Sequence, residues 1–322
     1  MIVFYLVAFL VSIFVLAWLS SHLIKTLISL AKYLGWREFI IAFFVMAVVG
    51  SLPNLLVGIG SALRGIPQLS FGEILGGNLV DLTLVLALAI LMSKGSIPAE
   101  SRMVQQSAMF TAGIVVLPLL LILDGKLGRI DGLVLIAAFF VYAFWLFSKE
   151  DRFKKIYEEE KVAPIKGFTT FLKDLLKIII FLIILLVASQ VIINSAQYFS
   201  ERLGISLAMV GLLIIGLGNC FPEAYFSIIS ARKGEGYMIL GDLMGSVISC
   251  ATLVLGIVAL ISPFIINDFS PFLIARIFLI IALAIFLIAI RTGKKITKKE
   301  ALILLFVYLT FLLVEVFRPY VF

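Results

Sequence analysis

Charged residues, cysteines and histidines are scarce in this chain of 322 residues. Only 14% of the residues are charged, whereas 63% are hydrophobic, well above the roughly 45–50% that is usual in soluble domains. Two cysteines are too few for a disulfide framework. The single histidine and the absence of H-E-x-x-H and G-x-S-x-G motifs disfavour a metalloprotease or a serine hydrolase. The composition predicts an all-α polytopic membrane protein that is not an enzyme.

Long hydrophobic runs are abundant, and their lengths predict about ten transmembrane helices. A helix needs roughly 20 apolar residues to cross a bilayer. Runs of this length lie near residues 2–22, 38–63, 69–92, 104–123, 130–147, 170–196, 205–231, 236–262, 270–290 and 299–317.

The net charge of +7 comes from basic residues in the loops, which argues for membrane orientation rather than nucleic-acid binding. Eighteen Lys and Arg residues lie in the loops that follow odd-numbered spans, including the charged stretch 149–166. Only five lie on the opposite side. Because basic loops stay in the cytoplasm, we expect the 149–166 linker to be cytoplasmic and both termini to be extracytoplasmic.

An internal repeat joins two stretches, 50–86 and 219–255, at a constant offset of 169 residues without a gap. The register of glycine and proline is shared, which apolar composition alone does not explain. The matching residues include Pro53 and Pro222, Gly65 and Gly234, Gly72 and Gly241, and Gly76 and Gly245. The chain therefore consists of two related halves, 1–148 with its motif at 47–91 and 167–322 with its motif at 216–260.

Five spans in each half mean that the second half enters the membrane from the opposite side. Two related halves of opposite orientation form the inverted-repeat design of many secondary transporters. In that design the substrate lies near the middle of the bilayer, between interrupted helices. The predicted fold is thus two inverted five-helix repeats, and alternating access is the expected mechanism.

The acidic residues that interrupt apolar sequence all lie inside the two repeats. They are Glu73, Asp81, Glu223 and Asp242. A spacing of four residues puts Glu73, Gly77 and Asp81 on one helix face, and Asp242, Ser246 and Cys250 on the equivalent face of the related helix. An uncompensated charge at the middle of a bilayer costs about 2.5–3.5 kcal/mol on insertion scales, so the acids indicate a cation or proton partner.

Each acidic helix is preceded by a glycine-proline interruption, Gly50 to Pro53 and Gly218 to Pro222. Proline breaks the helical hydrogen-bond ladder, which we expect to free carbonyls near residues 47–49 and 215–217. Carbonyl and carboxylate oxygens are the ligands that Ca²⁺ prefers. Asn54 and Glu223 follow the two prolines directly and add an amide and a carboxylate.

These motifs resemble those of the calcium/cation antiporter superfamily, which includes Na⁺/Ca²⁺ and Ca²⁺/H⁺ exchangers. The family pattern, similar to G-T-S-L-P-E and G-N-x-x-G-S-N-x-x-N or D, is matched here by G-S-L-P-N from Gly50, G-N-C-F-P-E from Gly218, and the helices that carry Gly72 and Gly241. The resemblance implies an inverted arrangement of five plus five helices with external termini. It also implies a central cation site formed by Glu223, Asp81, Asn54, Ser246 and Ser51.

Several positions depart from the family pattern. Asn54 stands where the first box usually has glutamate, and Asn219 stands where threonine is usual. Cys220 and Cys250 replace polar positions and are interpreted as small packing residues. With the remaining polar residues of the motifs added, the candidate metal ligands are Glu223, Asp81, Asn54, Ser246, Ser51, Asn219, Glu73 and Asp242.

The leading functional hypothesis is a secondary antiporter that exchanges Ca²⁺ for Na⁺ or H⁺. The alternatives are a transporter of other cations, such as a Na⁺/H⁺ or another divalent-ion exchanger, and, less favoured, an intramembrane enzyme or a channel. The predicted partners are inorganic cations and the lipid bilayer. No cofactor, nucleic acid or obligate protein partner is expected.

Overall fold

The computed structural model describes residues 1–33, 50–147, 164–234, 236–266 and 270–317. In the first half, the helices are α1 (Ile2–Tyr33), α2 (Leu52–Leu63), α3 (Pro67–Met92), α4 (Arg102–Leu121) and α5 (Arg129–Phe147). In the second half, they are α6 (Pro164–Leu203), α7 (207–219), α8 (Phe221–Lys233), α9 (Gly236–Ile261), α10 (Ser270–Thr292) and α11 (Lys298–Phe317).

The prediction of about ten membrane helices is confirmed. Every predicted span overlaps a helix in the described residues, and α7 and α8 together form the seventh. Eight spans in the described ranges are long and apolar enough to cross a membrane. Helix α2, at the predicted span 38–63, has 12 residues and begins at Leu52; residues 34–49 lie outside the described ranges. Helix α11 adds a further 20 residues at the tenth predicted position.

Two helices are longer than their predicted spans. Helix α1 continues without interruption to Tyr33, although the sequence predicted that the first span ends near residue 22. Helix α6 has 40 residues. The two helices pack against each other along their lengths, and stacking of Tyr5 on Tyr198, with ring centroids 4.0 Å apart, joins them near one end.

The repeat in the sequence is reproduced by the helix boundaries. Helix α2 begins at Leu52 and helix α8 at Phe221, which is the position 169 residues later. The residues immediately before them, Ser51 and Cys220, have nearly the same backbone angles, with φ and ψ of −81° and 0° and of −83° and 1°. The same sequence signals therefore start the same helix in both halves.

Helices α3 and α9 each contain a π-helical segment at equivalent positions. The segments are Asp81–Val85 and Cys250–Val254, and each lies between two α-helical stretches of 14 and 7 residues. A third π-helical segment, Val210–Ile215, occurs in α7. Such segments are rare and are frequent at functional sites, but apolar periodicity did not predict them.

Two short antiparallel ribbons connect the halves. Strand β1 (Ile97–Pro98) pairs with β4 (Lys295–Ile296), and β2 (Lys126–Leu127) pairs with β3 (Phe264–Ile265). Each ribbon joins one strand of the first half to one strand of the second. Six spans separate β1 from β4 and four separate β2 from β3, so paired strands lie on the same membrane side.

Glycines bring α3 into backbone contact with α7. A Cβ atom added to Gly72 would overlap the carbonyl oxygen of Ala208, and one added to Gly76 would overlap that of Leu212. Gly211 makes the reciprocal approach to Leu69. Gly72 and Gly76 thus allow the two helix backbones to approach closely. The segment that the repeat would place against Gly241 and Gly245 lies outside the described residues.

The end of α2 is fastened to α6 by one arginine. The Arg64 guanidinium donates to Asn194 Oδ1 at 2.5 Å, to Gln190 Oε1 at 2.6 Å and to Gln197 Oε1 at 3.3 Å. These three acceptors follow one another along a single face of α6. Asn54 lies in the first turn of α2, so the contact of Arg64 with α6 also helps to position Asn54.

We expect Gly76→Ala to destabilise the protein by about 1–3 kcal/mol, because the added methyl group can be accommodated only if two helix backbones separate. Thermal unfolding of the detergent-purified protein measures this loss. Gly113→Ala is the matched control, since Gly113 is exposed on α4 and a Cβ there meets no described atom within 4 Å. Equal melting temperatures for the two variants would contradict the close approach of α3 and α7.

Candidate cation site

The polar residues of the two repeats meet where the interrupted helices begin. Pro53 and Pro222 lie in the first turns of α2 and α8, where a missing backbone N–H has no helical partner to lose. Asn54 and Glu223 follow in the same turns. Both side chains therefore lie near helix N-termini, inside the protein and beside α3 and α9.

A small cavity lies between these helices. Its volume of about 10 Å³ is close to the space that one water-sized sphere needs. The lining residues come from both halves and are Asn54, Glu73, Ile74, Gly77, Asn78, Asp81, Gly216, Asn219, Cys220 and Cys250. The predicted shared face of Glu73, Gly77 and Asp81 is therefore confirmed.

Two buried carboxylates, Asp81 and Glu223, form an acidic pair across the halves. Asp81 is 3% exposed and Glu223 is 5% exposed. The Ser246 hydroxyl donates to Glu223 Oε1 at 3.1 Å and also lies within hydrogen-bonding reach of Asp81. The two acids are close enough to interact electrostatically. This arrangement concentrates negative charge around Ser246.

The repeat relates this acidic pair to a neutral pair. Asn54 occupies the position equivalent to Glu223, and Cys250 the position equivalent to Asp81. Asn54 Nδ2 donates a hydrogen bond to Cys250 Sγ at 3.0 Å. One of the two repeat-related pairs is therefore acidic, and the other consists of an uncharged amide and a thiol.

The other two acids also differ in their surroundings. Glu73, 2% exposed, accepts a hydrogen bond of 2.5 Å from Asn219 Nδ2. Asp242 is the counterpart of Glu73, but the counterpart of Asn219 is Gly50, which has no side chain to donate. Asp242 is 7% exposed and interacts electrostatically with Asp81 and Glu223.

Several buried oxygen atoms of the site have no hydrogen-bond partner among the described residues. They are Asn54 Oδ1, Glu73 Oε2, Asp81 Oδ1, Asn219 Oδ1, Glu223 Oε2 and Asp242 Oδ2. Buried polar atoms are normally paired, and each unpaired one costs about 1–3 kcal/mol. A cation that accepts oxygen ligands would satisfy several of them together.

Within the described ranges, no three His, Cys, Asp or Glu side chains converge on a single metal position. Ligation of a cation in this conformation would therefore depend on amide, hydroxyl and backbone oxygens as well as on carboxylates. Such a mixed oxygen set is typical of hard cations such as Ca²⁺.

The structure places the eight candidate ligands as follows. Asn54, Glu73, Asp81 and Asn219 line the cavity, while Ser246 contacts Glu223 and lies within hydrogen-bonding reach of Asp81. Ser51 lies beside Cys250. Asp242 is not among the residues that line the cavity in the described part of the chain.

Sequence reasoning left three cavity residues with polar or thiol side chains out of the candidate set. Asn78 is 3% exposed and lines the cavity, and the motif G-E-x-x-G-G-N-x-x-D that begins at Gly72 already contained it. Cys220 and Cys250 were interpreted as packing residues, yet both thiols line the cavity. The sequence contained a signal for both, because Cys220 precedes Glu223 by three residues and Cys250 follows Ser246 by four, spacings that put each pair on one helix face.

The fold and these polar residues define a multi-pass membrane transporter of the cation-antiporter class. The family model described as sodium/calcium exchanger protein matches residues 4–148 and 173–317 of the chain. The chain therefore belongs to the sodium/calcium exchanger family, and the resemblance seen in the two repeats is confirmed.

Relatives match over nearly their whole lengths. CaxA of Alkalimonas amylolytica is 26% identical over 308 residues, which are 93% of this chain and 95% of CaxA. The sodium/calcium exchanger MaX1 of Methanosarcina acetivorans is 23% identical over 330 residues, covering 92% of this chain and 93% of MaX1. A structure of the sodium-calcium exchanger NCX_Mj, soaked with Na⁺ and Sr²⁺, aligns with a TM-score of 0.67 at 24% identity, over 96% of this chain and 98% of that one. The same fold is thus shared along the full length.

The bond between Asn219 and Glu73 yields a stability prediction. Asn219→Ala removes the donor and leaves a carboxyl group buried without it, which we expect to cost about 1–3 kcal/mol. The double variant Asn219→Ala with Glu73→Met replaces both partners by apolar groups and should be more stable than Asn219→Ala alone. Thermal unfolding in detergent compares the three proteins. A double variant that is no more stable than Asn219→Ala would contradict an energetic link between these side chains.

Proposed function

We propose that the protein exchanges Ca²⁺ for Na⁺ or H⁺ by alternating access at the site between α2, α3, α8 and α9. The observation that carries this proposal is the acidic pair, Asp81 and Glu223, which meets at Ser246 with one oxygen of each acid left without a partner among the described residues. Two carboxylates match the charge of one divalent cation. The names of relatives that are sodium/calcium exchangers support the same cargo.

All eight predicted ligands take part in the proposed site, with different roles. Glu223, Asp81 and Ser246 hold the divalent cation. Asn54, Asn219 and Ser51 contribute uncharged polar groups at the interrupted helices. Glu73 and Asp242 complete the acidic surroundings from α3 and α9.

We also propose the organisation that alternating access requires. The halves 1–148 and 167–322 form the inverted repeats, joined by a cytoplasmic linker at 149–166, and both termini are extracytoplasmic. The ribbons support this arrangement because each of them pairs loops that the span count puts on one membrane side. The distribution of Lys and Arg over the loops sets the orientation.

Radiolabelled Ca²⁺ uptake into proteoliposomes tests the function. A Na⁺ gradient and a H⁺ gradient are imposed separately, and we expect one of them to drive Ca²⁺ accumulation. Passive Ca²⁺ flux that never depends on a counter-ion gradient would indicate a channel. Gradient-driven flux of Na⁺ or another divalent ion, without Ca²⁺ flux, would identify an exchanger of different cargo.

Glu223→Gln should reduce coupled Ca²⁺ uptake to the level of liposomes without protein, because it removes one of the two charges of the acidic pair. Glu201→Gln is the control, since Glu201 is exposed at the end of α6 and distant from the cavity lining. The melting temperatures of both variants establish that they are folded. Unchanged uptake by Glu223→Gln would remove Glu223 from the site.

Asn54→Glu adds a carboxylate to the neutral pair of Asn54 and Cys250 and should change the ion preference. Because a charged group then faces Cys250 and the cavity, we expect the competition of Na⁺ with Ca²⁺ uptake to shift by about tenfold or more, a difference of about 1.4 kcal/mol in ion binding. Competition curves of the wild type and the variant measure the shift. Superimposable curves would mean that position 54 does not face the ion.

A further inference from the structure

Both cysteines of the chain lie in the wall of the same cavity. Cys220 separates α7 from α8, and Cys250 begins the π-helical segment of α9. Both are free and buried, and both line the cavity between the halves. The entire thiol content of the protein is therefore concentrated at the proposed ion site.

Each sulfur makes weak hydrogen bonds and lies near the acidic pair. Cys220 Sγ donates to the Gly77 carbonyl oxygen at 3.4 Å, and Cys250 Sγ accepts from Asn54 Nδ2 at 3.0 Å. The two thiols interact electrostatically with each other and with Asp81 and Glu223. Cys220, Cys250 and Asp81 thus line one small space, and Glu223 lies near it.

Oxygen atoms of the same space independently indicate a cationic ligand. Asp81 Oδ1 and Asn219 Oδ1 belong to side chains that are 3% and 5% exposed, line the cavity and have no hydrogen-bond partner among the described residues. Sulfur ligands change the selectivity of such a site, because thiolates favour soft metal ions, whereas oxygen ligands favour Ca²⁺.

We propose that the site also binds thiophilic divalent cations, with Cys220 and Cys250 as sulfur ligands beside Asp81 and Glu223. Cd²⁺ is the appropriate probe because it combines a size near that of Ca²⁺ with a strong preference for sulfur. This inference rests on the proposed function, since it assigns a second class of cation to the same site. It makes the two cysteines determinants of ion specificity.

Binding breaks two S–H bonds and forms two S–Cd bonds, and the two protons pass to water. No electrons are transferred. Because no three acidic or sulfur side chains of the described residues converge in the present conformation, each thiol must turn about its Cα–Cβ bond toward the ion. Proton release on Cd²⁺ binding follows directly from thiolate ligation.

Two measurements on the purified full-length protein test the proposal. Ultraviolet difference spectroscopy of the wild type with Cd²⁺ should reveal a thiolate-to-cadmium charge-transfer band. Cd²⁺ should also inhibit Ca²⁺ uptake, and the concentration needed should rise by about tenfold or more in Cys220→Ser with Cys250→Ser. Serine nearly preserves the shape of the side chain, and the Cd²⁺ inhibition of each protein is expressed relative to its own Ca²⁺ uptake without Cd²⁺.

The outcomes separate this inference from the function on which it rests. A band in the wild type, together with weaker inhibition in the serine variant, supports thiol ligation. Absence of the band, or equal inhibition of both proteins, overturns it even where Ca²⁺ exchange is intact. If the serine variant fails to fold, the wild-type band alone decides. If the wild type moves no Ca²⁺, the proposed exchange fails, and the band still reports whether the thiols bind the metal.

Discussion

A carboxylate in the middle of a bilayer is costly, by about 2.5–3.5 kcal/mol on insertion scales, unless a partner compensates its charge. The four buried carboxylates of the site make this the constraint on which the rest of the structure depends. Helices α2 and α8 begin inside the protein, which brings Asn54 and Glu223 to α3 and α9. Helices α3 and α7 touch through glycine beside the acids. The compensation is incomplete within the described residues, because several acidic oxygens lack partners.

The scaffold is nearly symmetric, but the chemistry that it carries is not. The starts of α2 and α8, of α3 and α9, and of α5 and α11 repeat at an offset of 169 residues, as do the π-helical segments of α3 and α9. The ligand positions, however, differ between the halves. Asn54 is the repeat counterpart of Glu223, Cys250 is that of Asp81, and Gly50 is that of Asn219. Symmetric packing can therefore support the exchange of two conformations, while asymmetric side chains determine which ions are held. Changes of selectivity then require few substitutions and little disturbance of the fold.

Much of the fold was predictable because apolar run length and the glycine-proline register are encoded locally. The spacing of four residues predicted that Glu73, Gly77 and Asp81 share one helix face, and all three line the cavity. The π-helical segments and the ribbons were not predictable, since they depend on contacts between distant segments. The thiols were underestimated for a related reason. Cysteine in an apolar helix resembles a packing residue until Asn54 and Asp81 are brought beside it by the opposite half.

The paired π-helical segments have a consequence for the history of the chain. A π-helical turn arises when one extra residue enters an α-helix, which rotates everything beyond it. Both halves carry the extra residue at the same aligned position, and the repeats match without a gap. The simplest order of events therefore puts the insertion in a single ancestral module before gene duplication. The replacement of individual ligands, such as the divergence of Asn54 from Glu223, then followed separately in each copy.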